Sequence, residues 1–200
     1  MQGLTELRLQ MQDCGSCDLC RERTQVVFGE GSTEPLIMII GEAPGKEEDI
    51  QGVPFIGEAG NKLDDILSFV GLGRDDIYIT NAVLCRPPSN RNPRHEELQA
   101  CKWRLDLQIQ LLKPQILIAL GRIAVEQLQG SRVKGALSQF FPKNPTKHGG
   151  DWRTYQVGQH STKVLCTYHP SYLLRSPERG YKIVLPHWRM VKKWVDQKKQ

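Results

Sequence analysis

The chain has no apolar stretch long enough to cross a membrane, and Met1 to Gln12 mixes charged and polar residues with leucine where an export signal would carry an apolar core. Both absences lead us to expect a soluble, intracellular protein. There is no internal repeat and no linker of biased composition, so a single globular domain over residues 1–200, amino-terminal cysteine segment included, is the expectation. A P-loop is missing as well: the turn Gly41 to Gly45 lacks the Lys-Ser/Thr ending. Gly29-Glu30-Gly31 precedes an apolar run instead of following one, which weakens a dinucleotide reading. Acidic residues are outnumbered, with 22 Asp and Glu against 27 Lys and Arg for a net charge of +5, a balance that suits a polyanionic partner. The basic residues thicken from Arg175 to Lys199, though a solvated helix surface would look the same.

What is present is a 39% hydrophobic complement arranged in alternating patterns. Leu36 to Ile40, Ile77 to Val83, Ile116 to Leu120 and Val164 to Tyr168 read as buried strands. Between them Leu63, Ile66, Leu67 and Val70 recur at helical spacing, Glu96 to Leu112 carries a second helical pattern and Ile123 to Leu128 a third. Pro186 to Lys199 reads as a closing helix with Trp188, Val191 and Val195 inward, and Gly130 to Gly150 is the least regular part. Strands alternating with helices predict an α/β fold: a three-layer sandwich around a central, mostly parallel, four-stranded sheet. Ligands of such sheets bind at the carboxyl ends of the strands. Here those ends carry Gly41-Glu42-Ala43-Pro44-Gly45, Asn81, Gly121-Arg122 and His169-Pro170-Ser171.

Six cysteines without an export signal point to metal ligands or buried thiols more than to disulfides. Cys14, Cys17 and Cys20 form a C-x2-C-x2-C run, and Cys85 and Cys101 flank the loop Arg86 to Arg94. Five thiols compete for four places; zinc and an iron–sulfur cluster both accept four cysteines, and spacing does not separate them. Cys166, inside an apolar strand, reads as a buried thiol.

Three further residues stand out at the strand ends. Asn81 lies in an otherwise apolar strand, where an unpaired amide is costly, so it needs a partner. A fixed carboxamide can accept from uracil N3–H and donate to O4, and cytosine presents the reverse pattern; a bond to neighbouring backbone is the plainer alternative. Phe55, between Gly52 and Gly57, sits on a loop from which an aromatic ring could stack on a base, or simply fill core. His169 follows the last strand, where histidines are more often structural than catalytic.

Taken together, Gly41 to Asp49, Gly52 to Gly57, Tyr78 to Val83 and His169-Pro170-Ser171-Tyr172-Leu173-Leu174-Arg175 resemble family 4 uracil-DNA glycosylases, the thermostable iron–sulfur type, in order and separation from about Cys14 to Arg175. The resemblance implies a [4Fe-4S] cluster on Cys14, Cys17, Cys85 and Cys101, with Cys20 an extra thiol, in a structural role. It further implies that Gly41, Glu42 and Ala43 line a uracil pocket, that Phe55 stacks on the base, that Asn81 reads its edge and that His169 faces its O2. Glu48 would crowd the C5 methyl of thymine, and Leu173 falls where related enzymes insert a wedge into the duplex. The implied reaction is hydrolysis of the N-glycosidic bond of a flipped-out nucleotide in uracil-containing DNA, single- or double-stranded, with Glu42 and His169 catalytic, leaving an abasic site for base excision repair. A nucleoid-associated monomer is expected. A covalent uracil-capturing relative carries a longer basic insertion after the Asn81 strand, and that insertion is not evident around His95. A cluster-bearing DNA-binding or electron-transfer protein without catalysis and a zinc-stabilised nucleotide-binding module are the readings from other classes.

Overall fold

The computed structural model describes residues 2–142 and 152–198; part of the irregular stretch, 143–150, and Lys199 lie outside them. Numbered along the chain, the strands are β1 (Glu30–Gly31), β2 (Ile37–Gly41), β3 (Ile77–Asn81), β4 (Ile116–Leu120), β5 (Arg153–Val157) and β6 (His160–Thr167). The helices are α1 (Gln2–Gln12), α2 (Lys46–Gln51), α3 (Glu58–Phe69), α4 (His95–Leu112), α5 (Gly121–Gln129), α6 (Ser171–Arg175) and α7 (Pro177–Lys198). None of the described helices is long and apolar enough to cross a membrane.

The four apolar runs become β2, β3, β4 and β6, all parallel, with Ile39 level with Ile79 on one side and Ile118 on the other. The sheet is nonetheless six-stranded, in the order β1-β3-β2-β4-β6-β5, which corrects the expectation of four. Both additions are antiparallel edges. β1 is only two residues long, and β5 carries mostly exposed side chains, so neither produces the apolar run by which a doubly covered strand is recognised.

Period-2 alternation sorts the central strands onto two faces. Ile37, Ile39, Ile77, Ile79, Ile116 and Ile118 pack against Leu63 and Leu67 of α3 and against Trp188, Val191 and Val195 of α7. Met38, Ile40, Tyr78, Leu117 and Ala119 pack on the other face against Leu105 and Ile109 of α4 and Val125 and Leu128 of α5. A smaller third cluster joins Leu7 and Met11 of α1 to Leu98 of α4 and the segment after β3. α7 begins nine residues before Pro186, which lies inside it. Proline reads as a helix start because it lacks the N–H that an interior position needs, so the earlier turns were not expected.

The strand order reverses direction at β2: the chain steps to β3 on one side and then returns to β4 on the other. Such a reversal opens a crevice beyond the carboxyl ends of the strands, because the connections leave to opposite faces.

Candidate active site

A cavity of about 750 Å³ lies in that crevice, and Glu42, Ala43, Glu48, Phe55, Asn81 and His169 all line it. Gly41 sits beneath it. A Cβ there would lie within 2.5 Å of the Phe55 ring and would also collide with Asn81 Oδ1, so glycine is what allows β2, the Phe55 loop and β3 to meet.

Asn81 ends β3 and is 2% exposed. Its backbone is held by Arg104 of α4, whose Nη2 donates to the carbonyls of Asn81 and Ala82, each at 3.0 Å. Its side-chain Oδ1 has no hydrogen-bond partner among the described residues. Among the described residues four buried side-chain atoms are in that state, and Asn81 is the one of those residues that lines the cavity. An unpaired buried acceptor costs about 1–3 kcal/mol, and a base edge could supply the missing donor.

Phe55 is 5% exposed and adopts φ 55°, a left-handed conformation that is uncommon for a bulky side chain and costs on the order of 1–3 kcal/mol. Its ring stacks on His169 with centroids 5.5 Å apart and planes at 30°. Glu48 braces this loop: Oε1 accepts from the amides of Ile56 and Gly57 at 3.0 and 2.9 Å, and Oε2 from Gly45 at 3.0 Å. A carboxylate with three backbone donors is fixed in place, so Glu48 is first of all a splint between the two loops that flank the cavity.

His169 Nδ1 accepts from the backbone N–H of Ser171 at 3.2 Å and lies 3.0 Å from the Ser171 hydroxyl. A ring nitrogen that accepts from an amide cannot carry the proton of the neutral ring, which places it on Nε2. Burial, reinforced by the charge of Arg175, lowers the His169 pKa to about 4, so the imidazole is neutral near pH 7. Burial raises the Glu42 carboxyl above its ordinary range, and Arg175 opposes that shift. Arg175 lines the same cavity and acts on both groups. It closes the His169-to-Arg175 run in the sequence, yet nothing local reveals that its charge turns back toward Glu42.

Leu173 does not line the cavity. It is 1% exposed, sits in the core beneath α6 and packs so closely on α7 that a Cβ at Gly180 would come within 2.6 Å of its Cδ2. Leu174 is 39% exposed. On a helix two consecutive side chains point about 100° apart, so only one of the pair can face outward.

The cysteines form a separate group. Cys85 and Cys101 are buried in the third core cluster, and half-buried Cys14 and Cys17 pack against the same cluster. Cys20 is not part of it; together with Cys17 it borders a second cavity of about 450 Å³. Burial pushes the Cys85 thiol up to about 11, against the pull of Arg23, whose Nη1 donates to Cys85 Sγ at 3.1 Å and to the Cys14 carbonyl at 2.7 Å. Among the described residues no three His, Cys, Asp or Glu side chains are set to hold a metal ion. Cys166 is a buried thiol in β6, as its apolar surroundings suggested. Asp49, which sequence reasoning passed over, ties the cysteine segment to α2: both its oxygens accept from the Thr24 amide at 3.0 Å.

His95 is absent from the cavity lining and lies 3.5 Å from the Gln99 side chain on the outer surface of α4.

Comparison with known proteins agrees with this arrangement. Residues 28–194 match the Uracil DNA glycosylase superfamily. A type-4 uracil-DNA glycosylase of Thermotoga maritima is 40% identical over 173 residues, covering 84% of this chain and 81% of the relative. One from Pyrobaculum aerophilum is 40% identical over 180 residues, 88% of this chain and 86% of the relative. The type-4 enzyme of Archaeoglobus fulgidus is 34% identical over 189 residues, 89% and 86% of the two chains. With a family match across most of its length and a cavity built from the strand-end motifs, the chain belongs to the uracil-DNA glycosylase superfamily, in its type 4 branch.

Proposed function

We propose that the protein excises uracil from DNA by hydrolysing the N-glycosidic bond of a flipped-out nucleotide, releasing free uracil and leaving an abasic site for base excision repair. The observation that carries this reading is the convergence of the unpaired Asn81 Oδ1, the Phe55 ring and a neutral His169 on one cavity at the switch point of the sheet.

In this reading Asn81 reads the N3–O4 edge of the base, Phe55 supplies a face to lie against, and the splinted Glu48 stands as a rigid wall toward the C5 position, where thymine carries a methyl. As the bond from C1′ to N1 breaks, its electron pair stays on uracil, and negative charge grows on O2. His169 Nε2–H donates to that oxygen without first having to lose or gain a proton, an effect worth up to a few kcal/mol by analogy with other preorganised donors. The oxygen of a water then bonds to C1′, and its proton leaves toward Glu42, which also offsets positive charge on the sugar while ionised. Arg175 favours that ionised form and adds positive potential near the departing base.

The exposed Leu174, in place of Leu173, is the side chain free to occupy the gap that the flipped nucleotide leaves in a duplex. The exposed basic residues of α7 suit the phosphate backbone.

We further infer a [4Fe-4S] cluster on Cys14, Cys17, Cys85 and Cys101. Four thiols from the amino-terminal segment, the segment after β3 and α4 that pack in or against one core cluster support it, with Arg23 beside Cys85 as a compensating charge. A lone zinc ion would need its sulfurs converging at about 2.3 Å from one point. A [4Fe-4S] cluster takes one thiolate on each iron, so its four sulfurs need not meet at one point. When bound, the cluster would supply a crosslink that holds the amino-terminal segment and the Arg86-to-Arg94 loop against the sheet.

The test is a glycosylase assay on single-stranded DNA containing uracil, with thymine and hypoxanthine strands as controls and a denaturing gel of the protein. Clean abasic product from the uracil strand alone is expected. A protein band shifted by DNA would mean covalent capture instead, and an uncleaved uracil strand would remove the catalytic reading altogether.

A further inference from the structure

We propose that Arg74 is a positioning residue of the uracil site: its guanidinium grips the peptide carbonyls of Pro54 and Phe55 and so keeps the Phe55 ring against Gly41 and His169. The inference rests on the reading of Phe55 as a wall of the uracil pocket. Arg74 lies in the short turn before β3, outside every motif of the sequence, and does not line the cavity.

Its contacts nevertheless converge on the Phe55 loop. Nη1 donates to the carbonyl of Pro54 at 3.0 Å, and Nη2 donates to the carbonyl of Phe55. The remaining donors are anchored on carboxylates: Nε lies 2.9 Å from Asp64 Oδ1, Nη2 3.2 Å from Asp64 Oδ2, and Nη1 3.2 Å from Glu30 Oε1. Asp64 belongs to α3 and Glu30 to β1, so the guanidinium is held by two elements while it holds the loop. On the far side, Gly60 of α3 faces the same Phe55 carbonyl so closely that any Cβ would collide with it.

The next two amides, of Ile56 and Gly57, point to Glu48. Successive peptides are thus gripped from one side by a cation that takes their carbonyls and from the other by an anion that takes their N–H groups. A phenylalanine at φ 55° persists only where its surroundings over-determine it, and this pair of grips is what over-determines it. Lysine could not substitute, because one ammonium cannot present a planar fork to a carboxylate and two carbonyls together.

The experiment is a double-mutant cycle in single-turnover cleavage of single-stranded uracil DNA, with inhibition by free uracil as a second readout. Phe55→Ala should be slow, and Arg74→Ala should lose about 10- to 100-fold, the scale expected when a contact group is misplaced by roughly an ångström. In the Phe55→Ala background, Arg74→Ala should change the rate less than about twofold, since a residue that acts only through the ring has nothing left to position. Inhibition by uracil should weaken in parallel, and Arg74→Lys should not restore either quantity. If Arg74→Ala unfolds the protein, Asp64→Asn loosens the guanidinium without removing it and should show a smaller loss with the same dependence on Phe55. Full multiplication of the two losses, or a normal rate with Phe55→Ala slow, overturns the proposal alone. A normal rate for Phe55→Ala overturns the reading of the ring, and the proposal with it.

Discussion

Replacing Asn81 with leucine separates what the residue does for folding from what it does for chemistry. Its buried Oδ1 has no partner among the described residues. Leucine of similar shape removes an orphan acceptor that costs about 1–3 kcal/mol, against a repacking cost under about 1.5 kcal/mol. For a domain of this size each kcal/mol moves Tm by about 2–4 °C, so Asn81→Leu should melt at the same temperature as the parent or a few degrees higher. Activity should move the other way. In the proposed reading two hydrogen bonds to the base are lost, and at about tenfold per 1.4 kcal/mol their joint removal should slow single-turnover cleavage at least about 100-fold. Asn81→Asp supplies the contrast, because a carboxylate buried at 2% exposure destabilises the fold and presents no donor to O4. Melting curves and single-turnover assays on the same preparations decide the matter. A leucine variant that melts several degrees lower and still cleaves uracil DNA would show that the amide is a structural group with an unseen partner and not a base reader.

Other consequences of the geometry are open to direct measurement. Leu174→Ala should slow cleavage of duplex substrate more than single-stranded substrate, whereas Leu173→Ala should lower stability by about 2–5 kcal/mol through a core cavity and be seen first in the melting curve. His169 and His187 both have pKa values lowered to about 4 by burial, so each is neutral in the folded state while its unfolded counterpart titrates near 6.5. Their contribution is fully present above that value and is lost as pH falls toward 4; between pH 7 and 5 denaturant unfolding should show a loss of about 2 kcal/mol per histidine, and a flat profile would contradict the burial of the neutral rings. Purified protein should carry about four irons, retained in Cys20→Ser and lost in Cys101→Ala, and the opposite pattern would exchange the two thiols.

What was legible in the sequence follows from the range over which each signal acts. β2, β3, β4 and β6 announce themselves because a strand covered on both faces needs an unbroken apolar run, and the carboxyl ends of those runs are where the cavity opens. Asn81 was legible for the same reason: it interrupts such a run. The edges β1 and β5 were not, being either too short or too exposed to need apolar side chains. Nor was it legible that Leu173 is buried and Leu174 exposed, because the phase of a five-residue helix is decided by what it packs on, here Gly180 of α7. Glu48 and Arg74 show the limit most clearly. Glu48 meets Gly57 nine positions away and Arg74 meets Phe55 nineteen positions away, and no local pattern encodes which backbone groups a charged side chain will satisfy.

Four departures from local preference meet at the cavity: a buried amide oxygen without a partner among the described residues, a phenylalanine with positive φ, a histidine kept from ionising and a glutamate raised above its ordinary range. Each is unfavourable for the free protein, and three of the four are held by a neighbouring group. Arg104 fixes the backbone of Asn81, Glu48 fixes the amides after Phe55, and the Ser171 amide orients His169. Local rules are broken in this way where binding or chemistry requires it and the surrounding fold carries the cost. A uracil base seated in the cavity would supply a donor to the amide, a surface against the ring and an acceptor to Nε2. In the proposed reading the same substrate relieves what the folded chain alone leaves unsatisfied, and thymine, turned away at its C5 methyl, relieves none of it.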